Sequence, residues 1–306
     1  MRVLSLFDGI SCGQVALNRA GINYDTYYAS EIDKHAKHVT QSNFPKTIQL
    51  GSVTEWESWG FDFGSIDLIF AGFPCQAWSV AGKQKGDNDP RGALVHTLIN
   101  IWKAVKKKNP DVKFLFENVR MKKEFLDYIN ELFGVEPIRI NSSLVSSQNR
   151  NRFYWTNIPN VTQPEDKGAQ LKEILEHSKT DRLKSYCLDA NYFKGTNLAQ
   201  YLKKCRRQVV FNYSSSGRGN GVIQDRFYDS EDSKAYTLTK TGYSRRSFTG
   251  VYNKDGIRKL TPLECERLQT LPDNYTHGIS NTQRYKAIGN GWTVDVIVHI
   301  LKHIPA

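Results

Sequence analysis

Short apolar runs alternate with amphipathic stretches through the first 156 residues of the chain. Runs at 3–7, 26–29, 66–71, 113–117, 137–141 and 152–155 have strand length and strand composition. Between them, 13–20 and 94–107 carry apolar residues at helical spacing. The second of these closes on Lys106-Lys107-Lys108-Asn109-Pro110, basic residues and then a stop, as a helix C-terminus prefers. Strand–helix alternation of this kind predicts an α/β fold, a largely parallel sheet with helices on both faces.

From about residue 158 the texture changes. Prolines at 159 and 164 open a polar stretch, and 214–221 is a Ser/Gly-rich loop candidate. Order resumes near Arg258, where Thr261-Pro262-Leu263-Glu264 reads as an N-cap, a proline at the first helical position and a carboxylate in the first turn. A last helix is expected over 293–303. The expected organisation is one α/β domain, 1–157 and 258–306, interrupted by an insert at 158–257.

Composition narrows the classes. The chain has 306 residues, 39% of them hydrophobic, and no apolar run of membrane-spanning length. A strand-like run begins at once, so no signal peptide is expected. Five cysteines, at 12, 75, 187, 205 and 265, form no C-x-x-C pair, which argues against a disulfide framework or a metal site and for a reducing cytoplasm. The net charge of +11 suggests a polyanionic partner, and 157–257 alone holds 17 basic against 11 acidic residues.

Several segments carry chemistry. Phe7-Asp8-Gly9-Ile10 leads from a strand through a turn to a helix near Gly13, where glycine lets the backbone approach a ligand and free N–H groups can hold an anion. It is no phosphate-cradling P-loop, because no G-K-[ST] follows. Glu31, about 20 residues on, stands at the next strand end, where nucleotide-binding α/β folds hold ribose hydroxyls. Gly72-Phe73-Pro74-Cys75-Gln76 follows a strand and precedes a polar, glycine-bearing stretch with the character of a loop over a site. Glu117 ends another strand, and burial there would disfavour its charge and suit it to donate a proton. Arg150 and Arg152 alternate, which puts them on one face of an extended segment.

Taken in order, F-D-G-x-x-x-G, the strand-end Glu, G-F-P-C-Q, E-N-V, Q-x-R-x-R and the closing Gly289-Asn290-Gly291-Trp292 resemble the DNA cytosine carbon-5 methyltransferase family, of bacterial and phage type with similarity to the animal de novo branch. The likeness covers 1–156 and 258–306. It implies an S-adenosylmethionine-dependent, Rossmann-like methyltransferase fold with a small target recognition domain in the insert. It implies transfer of a methyl group to carbon 5 of a flipped-out cytosine, with Cys75 as nucleophile, Glu117 on the ring, and Arg150 and Arg152 positioning the base and its backbone. The same likeness puts Phe7, Asp8, Gly9, Ile10, Gly13, Glu31, Ile32, Ser52, Val53, Pro74, Asn290 and Trp292 around the cofactor, and Gln76 and Ser79 against DNA. Where the family carries Gly-Asp, this chain has Gly51-Ser52, an acceptor without charge. In the insert, Arg218, Arg245 and Arg246 are the candidate DNA-reading residues.

The expected partners are thus double-stranded DNA and S-adenosylmethionine, leaving S-adenosylhomocysteine. No metal and no membrane are expected. The chain is expected to act as a monomer of bacterial or phage origin, within a restriction–modification system or as a solitary enzyme, without direct contact to an endonuclease. A transfer RNA methyltransferase of the same family would carry a Cys-Phe-Thr element, which is missing. A nicotinamide dehydrogenase explains neither Pro-Cys-Gln nor Glu-Asn-Val, and a catalytically dead homologue would not need to retain Cys75, Glu117 and both arginines.

Overall fold

The computed structural model describes residues 1–74, 93–196, 198–204, 206–212 and 257–305. Expectations for Cys75, Gln76, Ser79, Arg218, Arg245 and Arg246, and for the loops around them, lie outside these residues.

Seven strands form the central sheet: β1 (Arg2–Leu6), β2 (Thr26–Ser30), β3 (Ile48–Gln49), β4 (Leu68–Gly72), β5 (Lys113–Val119), β6 (Ile138–Asn141) and β7 (Asn151–Thr156). Their order is β3-β2-β1-β4-β5-β7-β6, parallel except that β7 runs antiparallel to both its neighbours. The sheet is therefore the expected α/β kind, with one reversed strand that periodicity could not reveal. Helices α1 (Cys12–Ala20), α2 (Lys34–Asn43), α3 (Ala93–Lys108) and α4 (Lys123–Phe133) connect the strands.

Strand alternation sorts the core onto two faces. Val3, Leu68, Phe70 and Leu115 pack on one side with α1 and the C-terminal helix α8 (Val294–Leu301). Leu4, Leu6, Ile69, Phe114 and Phe116 pack on the other with α3 and an aromatic group that includes Trp102, Phe133 and Trp155. Because α8 lies against α1, the end of the chain completes a layer begun at its start.

A second sheet, β8 (Ser178–Lys179), β9 (Val209–Asn212) and β10 (Ile257–Lys259), is antiparallel in the order β10-β9-β8. Between β8 and β9 lies the short α5 (Leu198–Lys204). A third core cluster joins Leu171, Leu188, Tyr192 and Val210 of the insert to Leu260, Cys265, Leu268, Tyr285 and Ile288, so it draws on both sides of residue 258. It includes residues of α6 (Pro262–Leu268) and α7 (Asn281–Asn290). Thr261 caps α6 in a reciprocal capping box with Glu264, and Pro262 stands in its first turn, as the local signature predicts.

Candidate functional site

Beyond the C-terminal ends of β1, β2, β4 and β5 opens a cavity of about 390 Å³. Ligands gather at such strand ends in open α/β sheets, where loops rather than core side chains line the surface.

One wall is the turn after β1. Phe7, Gly9 and Ser11 all adopt left-handed backbone angles, φ 54°, 61° and 55°. Glycine does so freely, whereas Phe7 and Ser11 are held there by their surroundings. The Gly9 N–H donates to Glu31 Oε2 at 2.8 Å, and the Ile32 and Asp33 N–H groups donate to Glu31 Oε1, also at 2.8 Å. Glu31 thereby ties the two strand ends together while still lining the cavity. Ile32 beside it is 77% exposed, an apolar side chain left open at the rim. That is what a flat heteroaromatic ring would cover, and three-fold amide support of Glu31 leaves about one lone-pair site, on Oε2, for a hydroxyl. The residues present therefore fit the cofactor that the resemblance implies. Ser52 lines the cavity too, but its hydroxyl also accepts from Thr54 N–H, capping the 3-10 turn Val53–Ser58.

Asp8 points inward, accepting from Tyr27 O–H at 2.9 Å and from Ser11 O–H. Burial pushes its carboxyl up to about 6, against hydrogen bonds from Ser11, Ser5 and Tyr27 that pull it down. Gly13 departs from expectation, because it is absent from the cavity wall. A side chain there would meet the Phe70 ring at 2.7 Å and the Tyr27 hydroxyl at 2.8 Å, so this glycine lets α1 press on the sheet.

The opposite wall carries the charges. Glu117 lies two residues before the end of β5 and is only 8% exposed. Its Oε1 lies 2.8 Å from Arg152 Nε on the adjacent β7, and its Oε2 accepts from Trp292 Nε1 at 3.2 Å. Its setting is thus not the plain burial read from the sequence: a guanidinium compensates the carboxylate, and both oxygens have partners. Next to it, Asn118 Nδ2 donates to the carbonyl of Phe73, the residue before Pro74 of the cavity wall, at 3.3 Å.

Arg150 and Arg152 do share a face, but only Arg152 meets Glu117. Arg150 is 4% exposed. It donates to the carbonyls of Leu188 at 2.8 Å, Gly291 at 3.0 Å and Gly289 at 3.4 Å. Arg150 lines the cavity while donating to backbone carbonyls, clamping the insert to the closing Gly-Asn-Gly-Trp segment. At that junction Gly289 touches Asp189, whose carbonyl carbon would lie 2.4 Å from an added Cβ. Cys187, half-buried, sits between the arginines, 3.6 Å from Arg150 Nη1 and 3.8 Å from Arg152 Nη2. No sequence signal marked it, since its neighbours 35 and 37 residues away meet it only through folding. Cys12 and Cys265 are buried, and burial pushes the first up to about 12 and the second well above its ordinary value, so neither suits nucleophilic work.

Of the expected site residues within the described part, all except Gly13 line this one cavity. Sequence reasoning missed Asn118 and also Lys286, which lines it while pairing with Asp33 at 2.8 Å. Among the described residues, no group of three His, Cys, Asp or Glu side chains could hold a metal ion, and no helix is long and apolar enough to cross a membrane.

Comparison with known proteins agrees with this geometry. The chain is 30% identical to the type II methyltransferase M.HpaII of Haemophilus parainfluenzae, over 96% of this chain and 86% of that one. It is also 30% identical to M.HhaI of Haemophilus parahaemolyticus, over 99% and 94%. A crystal structure of a Spodoptera frugiperda DNMT2 mutant shares the fold, with a TM-score of 0.63 at 20% identity over 99% of this chain and 98% of that one. The family model described as C-5 cytosine-specific DNA methylase matches residues 1–306, and the chain belongs to that family.

Proposed function

We propose that this protein methylates carbon 5 of cytosine in double-stranded DNA, through a covalent adduct of Cys75 with a base turned out of the helix. The observation that supports it most is the single cavity lined both by the backbone-held turn of Phe7–Ile10 with Glu31 and by Glu117 with Arg152. Donor and acceptor of a transferred group need such a shared space, because proximity supplies much of the barrier reduction.

S-adenosylmethionine, when bound, supplies an electrophilic methyl group. Cys75 Sγ, as thiolate, forms a bond to carbon 6 of the base, and the displaced electron pair makes carbon 5 nucleophilic. After carbon 5 has taken the methyl group, the sulfonium–methyl bond breaking to leave S-adenosylhomocysteine, the carbon 5 proton leaves to a base, the ring double bond returns, and the Sγ–carbon 6 bond breaks to free Cys75. Glu117 faces ring nitrogen 3 and the exocyclic amine; each oxygen keeps a lone pair beyond those used by Arg152 and Trp292. Arg152 holds Glu117 and faces the base. Residues 158–257 read the DNA, with Arg218, Arg245 and Arg246 as the leading candidates for contact. A base inside the duplex cannot be reached by a thiol, so extrusion is required.

Trapping tests the reading directly. DNA carrying 5-fluorocytosine should form a covalent complex with the wild-type protein and S-adenosylmethionine, since fluorine cannot leave as a proton does. Cys75→Ala should form none while still binding DNA through phosphate contacts. A trapped complex with Cys75→Ala would overturn the assignment. Bisulfite sequencing of DNA from cells expressing the chain then reads the target motif.

A further inference from the structure

We infer that Trp292 is a positioning residue for Glu117, its indole N–H fixing one carboxylate oxygen and so joining the closing segment of the cofactor wall to the base-facing carboxylate. This rests on the proposed role of Glu117. The expected place of Trp292 was simply beside the cofactor, yet its polar edge is turned the other way. Nε1 donates to Glu117 Oε2 at 3.2 Å, with 175 residues of chain between them. The ring is 9% exposed and meets Phe70 edge-on at 5.8 Å, which leaves the indole little freedom.

Gly72, the last residue of β4, makes this contact possible. An added Cβ at Gly72 would stand 2.9 Å from Trp292 Nε1 and 3.5 Å from Cε2. Only glycine leaves room for the indole to lie across the strand end and reach the carboxylate on β5, whose Glu117 is the register partner of Gly72. The glycine before Phe73-Pro74-Cys75 therefore serves the carboxylate as well as the turn.

The carboxylate is held from two sides. Arg152 faces Oε1 from β7 as an ion pair without a hydrogen bond from its Nε, and Trp292 fixes Oε2 by a hydrogen bond from the segment that Arg150 clamps through the Gly289 and Gly291 carbonyls. With Oε1 paired by charge alone, the hydrogen bond from Trp292 to Oε2 is what restrains rotation of the carboxylate and sets the plane in which it meets a base. Removing the tryptophan donor leaves the Arg152 pairing but frees that rotation. The effect should therefore fall on the chemical step and spare cofactor binding.

Three variants test this in the full-length protein, with S-adenosylmethionine and a DNA substrate. Trp292→Phe keeps an aromatic ring and deletes the donor. Its single-turnover rate should fall about ten- to a hundredfold, the range for losing one hydrogen bond to a charged group, while cofactor affinity by titration calorimetry changes far less. Gly72→Ala should slow the rate in the same way by displacing the indole. The double variant should be no slower than Trp292→Phe alone, because phenylalanine carries no Nε1 where the new methyl lies. A thermal melt of each variant separates lost folding from lost positioning. A wild-type rate for Trp292→Phe overturns the inference, as do effects of the two substitutions that multiply. If Glu117→Gln runs at the wild-type rate, the role of Glu117 fails first and this inference falls with it.

Discussion

The wall made by residues 7–10 and 31–33 is held by backbone amides converging on Glu31, whereas the wall carrying Glu117 is held by side chains from distant segments. On the first, the amides that donate to Glu31 lie at most 22 residues from it. On the second, Arg152, Trp292 and Cys187 reach the same few ångströms from three separate parts of the chain. A wall of backbone amides is set once its strands pair, and it tolerates side-chain change. One made of buried charge depends on every partner, because a lost partner leaves an uncompensated ion or orphaned carbonyl. Binding and chemistry should thus respond to mutation separately.

The largest effect is expected at Glu117. Glu117→Gln should lower the single-turnover rate by about 10²–10⁴-fold, the span for a positioned acid or base, and leave cofactor affinity almost unchanged. A collapse of cofactor binding in titration calorimetry would break the separation of the two walls. Arg150→Ala should come next, acting on stability. Its loss strands the Leu188, Gly289 and Gly291 carbonyls, and urea denaturation should show a cost of about 3 kcal/mol, only partly restored by lysine, which has no planar fork. An unchanged midpoint would return Arg150 to the role of a free base-positioning group.

Asp8 sharpens the comparison from the amide side. Because burial raises it from 3.8 to about 6, the native state keeps a proton between those values that the unfolded chain has released. Its contribution to stability therefore declines as pH rises through that window and stays low above it. Asp8→Asn should gain on wild type by on the order of 1–3 kcal/mol between a pH of about 4 and one of about 7.5, read as the difference in unfolding free energy at each. A gap that does not change with pH would show that Asp8 does not hold this proton. The smallest effect is expected at Ser52. Ser52→Asp keeps the cap on the Val53–Ser58 turn and adds charge to an acceptor, so cofactor binding should tighten by about 1 kcal/mol. Equal affinity would show that the hydroxyl suffices.

What the sequence determined by itself was whatever depends on neighbours along the chain. Strand–helix alternation placed six strands and the helices α1, α3 and α8 to within a few residues, and Thr261-Pro262 marked the start of α6. The turn after β1, Glu31 at the next strand end and Glu117 near the end of β5 were legible for the same reason: each belongs to a local motif near an element boundary. The antiparallel direction of β7 was decided only by the tertiary structure, since side-chain period is blind to strand polarity. So were the distinct duties of Arg150 and Arg152, two residues apart. One faces backbone carbonyls brought in from 188 and 289–291, the other a carboxylate on the adjacent strand. Gly13 and Gly72 make the same point. A glycine in a sequence announces that something comes close, and only the packed molecule shows that it is Phe70 in one case and the Trp292 indole in the other.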